Sequence, residues 1–164
     1  MKIEDIIRVG NVDSINPENG TVRVRFPDRD DKVSGELKVI FSKTHMDKEY
    51  HIPAIDEAVV CIFLPNQQEE GFVLGAYYNE VDTIPAGANE DTKIWSFSDG
   101  GKIEYNRSSG ELNIIAVSAV NITAPTINLN GDVNVSGNLV TSGTTTTAAG
   151  MIDGHDHGGA VPPF

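Results

Sequence analysis

Residues 125–143 read Pro-Thr-Ile-Asn-Leu-Asn-Gly-Asp-Val-Asn-Val-Ser-Gly-Asn-Leu-Val-Thr-Ser-Gly. Pro125, Gly131, Gly137 and Gly143 stand six residues apart, as do Ile127, Val133 and Leu139, and Leu129, Val135 and Thr141. From 127 to 139 every odd position is apolar or glycine. Every even position is polar: Asn128, Asn130, Asp132, Asn134, Ser136 and Asn138. Alternation of period two puts one set on each face of an extended strand. A six-residue repeat with a small residue at its corner marks a β-solenoid. Upstream, Val120-Asn121-Ile122 is the same unit one residue out of step. Its inward set is Leu112, Ile114, Ala116, Val120 and Ile122, and Pro125 lies where the parity changes.

A solenoid made from one chain needs at least three repeats plus caps to bury a core. At three hexads per coil, the roughly 35 repetitive residues close about two coils, too little to bury their own Val, Ile and Leu. The chain is then either disordered here or shares its core with other chains, and regular aliphatic alternation disfavours disorder. The shared solution is an intertwined trimer. Each chain supplies one strand per turn of a triangular prism, the aliphatics meet on the three-fold axis, and Asn, Ser and Thr cover the faces. An ordinary β-sandwich tail is the alternative.

The N-terminal half reads differently. Thr21–Pro27 (TVRVRFP), Glu36–Phe41 (ELKVIF), Glu57–Pro65 (EAVVCIFLP) and Gly71–Tyr78 (GFVLGAYY) are rich in β-branched and aromatic residues. Turn residues bound them at 16–20, 28–31 and 66–70. Val22, Val24 and Phe26 alternate with Arg23, Arg25 and Pro27, as in a half-buried strand. The continuous run Val59–Leu64 predicts a strand covered on both faces, with Cys61 as a small buried apolar residue. About five strands and no helical period within ~80 residues predict a small closed barrel, with the OB-fold as the candidate. Ile94–Ser98 and Lys102–Asn106 flank Asp99-Gly100-Gly101 and predict a hairpin, and a second turn follows at 107–110.

Charge divides the chain in the same way. The 164 residues carry 24 Asp and Glu against 12 Lys and Arg, a net charge of −12. The last basic residue is Arg107, and residues 111–164 hold only Glu111, Asp132, Asp153 and Asp156. Such a chain lacks the clustered cations that nucleic-acid backbones require. A single cysteine excludes an intramolecular disulfide framework. Glu4, Asp5 and Arg8 interrupt the apolar run that a signal peptide needs, and no stretch approaches the ~20 apolar residues of a membrane span.

The segment Asp153-Gly154-His155-Asp156-His157-Gly158-Gly159 carries the one metal-ligand pattern of note. In an extended strand His155 and His157 point the same way. Two imidazoles are too few for a site, and solvent-exposed loop histidines are the plain alternative. In a trimer three pairs converge as six imidazoles, enough for an octahedral site, and the glycines permit close approach. Iron, nickel and zinc all accept such a donor set. His45 and His51 sit in the polar loop 42–52 and are expected to be solvated. The cluster Asp28, Asp30 and Asp31 reads as a solvated turn rather than a calcium site. No Gly-x-Ser-x-Gly, phosphate loop or Cys/His constellation is present in the sequence, so no catalytic residue is expected.

The order of these parts carries a resemblance. RVGNVDSINPENGTVRVRFPD, then DGGKIEYNRSSGELNI, then TINLNGDVNVSG, then HDHGG resembles the baseplate assembly protein V family, the central spikes of contractile phage tails. The spike proteins of type VI secretion systems and of phage-tail-like bacteriocins are relatives. The resemblance implies an all-β chain with an OB-fold barrel over 1–83, a linker over 84–93 and a β-hairpin connector over 94–110. A triple-stranded, intertwined β-helix (a β-prism) over 111–147 and a metal-bound tip over 148–164 follow. It implies a non-enzymatic homotrimer at the baseplate centre of a virion tail or similar particle, assembled in the host cytoplasm. The needle contacts hub and tail-tube proteins at its N-terminal end and is driven through the target cell membrane when the sheath contracts. It implies one iron ion per trimer, held by His155 and His157 of each chain. No lysozyme-like insertion accompanies this pattern, so cell-wall cleavage is not expected. A hexapeptide-repeat acyltransferase would need many more repeats and a histidine within the coils. A nucleic-acid-binding OB module would need a basic surface with exposed aromatics.

Overall fold

A computed structural model describes residues 6–65, 70–143 and 145. The chain divides into two units between Ala119 and Val120.

The first unit contains a closed barrel. Its strands are β1 (Ile7–Asn16), β2 (Thr21–Phe26), β4 (Leu37–Val39), β5 (Ala58–Phe63) and β6 (Gly71–Ala76). Sheet order β1-β5-β6-β4-β2, with a further β1–β2 pairing, closes the ring. The short strand β3 (Lys32–Val33) is appended to β2. Numbered by barrel strand alone, the ring runs 1-2-3-5-4, with β4 and β6 parallel and the other neighbours antiparallel. This is an all-β fold, consistent with an OB-like barrel.

The barrel core is Val12, Val22, Val24, Phe26, Leu37, Val59, Cys61, Phe63 and Val73, all buried. In β2 the expected alternation holds: Val22, Val24 and Phe26 face in, while Arg23 and Arg25 do not. In β5 the expectation of two covered faces does not hold. Val59, Cys61 and Phe63 are buried, but Val60 and Ile62 are only half-buried. A closed barrel has a single interior, so even a continuous apolar run presents every second side chain outward. Cys61 is the small buried residue the sequence predicts. Burial pushes its thiol from 9.0 up to about 12, against an opposing pull from the Arg8 charge. The Arg8 guanidinium lies 4.4 Å from the centre of the Phe63 ring, and Phe63 meets Phe26 edge-on at 5.8 Å.

Strand β1 is the longest, at 10 residues, and pairs on both sides, with β2 and with β5. A bulge between Val12 and Ser14 lets it bend around the barrel. Gly10 is required for packing. A Cβ there would strike the Arg25 carbonyl oxygen and lie 2.8 Å from a Val24 methyl group.

The loop 42–52 is more organised than a solvated loop. Phe41 stacks on Tyr50 at 5.7 Å and meets His51 edge-on at 5.8 Å. The Tyr50 hydroxyl donates to the Pro17 carbonyl at 3.3 Å. His45 and His51 are nevertheless exposed, as expected. Asp28, Asp30 and Asp31 are exposed around a 3-10 turn, Pro27–Arg29.

The same unit holds a three-stranded antiparallel sheet: β7 (Thr92–Ser96), β8 (Lys102–Asn106) and β9 (Glu111–Ile115). The turn at Asp99-Gly100-Gly101 joins β7 to β8, closed by the Phe97 amide donating to the Gly101 carbonyl at 2.9 Å. Arg107 clamps the start of the sheet through Asp91, with Nε–Oδ1 at 2.9 Å. Thus β7 begins within the stretch read as linker 84–93. Strand β9, at the start of the stretch read as β-helix, pairs with the hairpin in the same sheet.

Candidate functional site

Among the described residues, three apolar surfaces stand out as uncovered. The first lies on the C-terminal hexads. In the second unit, Val120, Ile122, Ile127, Leu129, Val133, Val135 and Leu139 are each more than half exposed. Residues 120–143 contain no assigned strand, although their sequence alternates like one. Gly131 and Gly137, six residues apart, share φ +145°, a backbone region that favours glycine. A Cβ at Gly131, Gly137 or Gly143 would meet open space within 4 Å. The hexad is therefore a repeated backbone shape as well as a repeated composition. Its aliphatic side chains remain in water, at an approximate cost of 25 cal/mol for every Å² left uncovered. Soluble single chains rarely tolerate contiguous exposed apolar rows of this kind.

The second surface is the outside of the barrel. Cross-strand pairing aligns Ile7 with Ile62 and Phe72, and Val9 with Val60. Ile7, Val9 and Leu74 are each about half exposed. The continuous apolar run of β5 supplies the middle of this patch, which explains its lack of polar interruption.

The third is one face of the β7–β9 sheet. Pairing sets Trp95 beside Ile103 and Ile114, and Tyr105 beside Leu112. The opposite face is mixed, carrying Ile94, Ser96, Lys102, Glu104, Asn113 and Ile115, with Lys102 Nζ 2.8 Å from Glu104 Oε2. Reading the region as a two-stranded connector missed this surface. The signal was present in the odd-numbered Trp95, Phe97, Ile103 and Tyr105, continued by the even-numbered Leu112 and Ile114 across the turn at 107–110.

A groove of about 540 Å³ runs between Ile55 and Val81, lined also by Tyr77, Tyr78, Asp56, Glu57 and Asp82. Asp56 is engaged by Arg25 at 3.2 Å. Among the described residues no group of three or more His, Cys, Asp or Glu side chains is placed to hold a metal ion. The metal ligands expected from the sequence, His155 and His157, lie outside the described residues. No helix among the described residues is long and apolar enough to cross a membrane.

A scan against protein-family models finds no match to this chain, and a search of the curated proteins finds none.

Proposed function

We propose that this chain is the structural central spike of a contractile phage tail or phage-tail-like particle. It acts as a homotrimeric needle at the baseplate centre that pierces the target cell envelope on sheath contraction. The observation that carries the reading is the uncovered aliphatic row of residues 120–139, set on a backbone whose glycine corners repeat the same dihedral. Three chains wound together as an intertwined β-helix bury that row. A single chain cannot.

The physics suits the role. A spike transmits axial force, and an intertwined prism cannot unfold chain by chain. Near-absence of charge after residue 111 also fits, because three-fold symmetry multiplies every surface charge by three. The OB-like barrel forms the wide end, and the patch around Ile7, Val9 and Ile62 offers hub and tail-tube proteins an apolar surface. At the tip, His155 and His157 of three chains supply six nitrogen donors. An iron ion bound there ties together three chain ends that otherwise fray. The role is structural rather than catalytic, and its place is the virion tail baseplate or the equivalent in a related particle.

Light scattering on the purified chain is the decisive experiment. The expected mass is three times the 17.6 kDa of one chain, and a monomer overturns the reading. Metal analysis is expected to give one iron per three chains, lost in the His155→Ala, His157→Ala variant, which stays trimeric. Full metal occupancy in that variant would place the ligands elsewhere.

A further inference from the structure

We propose that the groove between Ile55 and Val81 is a docking site for a basic peptide segment of a partner protein. The segment brings a Lys or Arg side chain, apolar along its stem and cationic at its end. All the lining residues belong to the first unit, so the assignment does not depend on the trimeric spike proposed above.

Two turns build the groove, and hydrogen bonds hold both. On one wall the Ala54 amide donates to Glu57 Oε2 at 2.6 Å, and the Asp56 amide donates to the Val12 carbonyl at 2.8 Å. On the other, Asn79 Oδ1 accepts from the amides of Val81 at 2.7 Å and Asp82 at 2.8 Å. Strand β6 ends at Ala76, so Tyr77 and Tyr78 leave the strand alternation and both line the groove. Walls fixed before binding spare the complex the cost of ordering them. The volume of about 540 Å³ lies within the roughly 300–1,000 Å³ of sites that enclose a ligand.

The lining chooses the chemistry. Ile55, Tyr78 and Val81 are 60%, 64% and 88% exposed, an apolar surface open to water. Three carboxylates share the lining with them, Asp56, Glu57 and Asp82. Among the described residues only Asp56 meets a cation, Arg25 at 3.2 Å. Glu57 accepts from the Ala54 amide and Asp82 from the Asn79 carboxamide, both neutral donors. Lys and Arg match this mixture, because their stems lie along apolar groups while their charged ends reach carboxylates. The two tyrosine rings add faces that attract a cation.

The same charges turn other occupants away. Nucleic-acid backbones and anionic lipid surfaces are repelled by the carboxylates. A second copy of this chain carries a net −12 and is repelled likewise. A free polyamine carries the right charge, and the experiment separates it from a peptide.

The probe is a dye-labelled, capped hexapeptide, Ala-Leu-Lys-Leu-Arg-Ala, titrated with the full chain and read by fluorescence anisotropy. Saturable binding is expected, with a Kd between about 10 and 500 μM. The counterpart with Gln in place of Lys and Arg is expected to bind at least about tenfold more weakly. Spermidine is expected to compete only well above the peptide's Kd. Tyr78→Ala and Asp82→Asn are each expected to weaken binding about fivefold or more. Met46→Ala, at an 89% exposed position outside the groove, is expected to leave it unchanged. Shielding of the buried Cys61 from a thiol reagent confirms a folded barrel in each variant. Absence of saturable binding up to about 2 mM overturns the proposal. Equal binding of the charged and Gln peptides overturns it too, as does equal affinity of wild type and the two groove variants. Displacement by spermidine at or below the peptide's Kd makes this a small-cation site and overturns the peptide assignment.

Discussion

The barrel and the C-terminal hexads are written in the same alternating pattern, yet only one of them buries it. In β2 the alternation Val22, Val24, Phe26 ends in side chains at or below 2% exposure. In the hexads the alternation Val133, Val135, Leu139 leaves side chains at 52–73%. The difference is closure. Strand β1 pairs with both β2 and β5, so the barrel has an interior within one chain. Residues 120–143 have no strand partner among the described residues, and in the proposed trimer their interior comes from the other chains. Alternation encodes which side chains turn inward, but not which chain supplies the opposite wall.

The comparison can be broken most sharply at Val133. Val133→Asp would place three carboxylates on the axis of the proposed prism, where unpaired buried charge is not tolerated. Light scattering should show monomers, while urea unfolding of the barrel shifts by less than ~0.5 kcal/mol. A barrel destabilised in step with the loss of assembly would mean that the two regions are not independent.

The reverse experiment is Phe26→Ala. Removing this ring from the barrel core should cost about 3–5 kcal/mol, read from the urea midpoint, with the hexads still able to associate. Next in size is a pH effect confined to the barrel. Because burial raises the Cys61 thiol from 9.0 to about 12, the folded state holds a proton that the unfolded state releases first. The stability contributed by the neutral thiol is therefore complete below pH 9 and declines as pH rises toward 12. Wild type should lose stability over that window faster than Cys61→Ala, and equal slopes would contradict the assignment. Alkylation of Cys61 at pH 8.5 should likewise proceed only as fast as the barrel opens.

Smaller effects sharpen the contrast. Gly131→Ala meets no steric neighbour but must adopt φ +145°, a strain of order 1–3 kcal/mol per chain. It should lower the melting temperature of the assembly without moving that of the barrel. The smallest effect is expected from Asp56→Asn, which removes the exposed ion pair with Arg25 at 3.2 Å. Such pairs contribute roughly 0–1 kcal/mol, fading with salt.

Much of the barrel was legible. The runs around β2, β5 and β6 and the turns at 16–20 and 99–101 follow from composition and period. Strand β1 was not, because Gly10, Asn11, Asp13 and Ser14 interrupt its apolar pattern. Gly10 is there because only a hydrogen fits beneath the Arg25 carbonyl, and the bulge at Val12–Ser14 breaks the two-residue period. Outward-facing Val60 and Ile62 misled in the opposite direction, since an apolar outer surface reads as a second buried face. The third strand of the β7–β9 sheet was hidden for a similar reason: Glu111–Ile115 fits the hexad phase and the sheet equally well. The His155-x-His157 spacing is legible in the sequence as a residue pattern, and both residues lie outside the described ones.

The sequence alone determined the all-β class, the hexad period, the fall in charge after Arg107 and the sidedness of β2. These follow from local chemistry, because a residue's size, polarity and spacing fix which way it prefers to face. Only the tertiary structure decided that β1 closes the barrel, that β5 has one buried side, and that β7, β8 and β9 form one sheet with a bare apolar face. Strand partners are separated in sequence by up to about 55 residues, as Ile7 and Ile62 are. No local preference specifies which distant edge satisfies a strand's free amides and carbonyls.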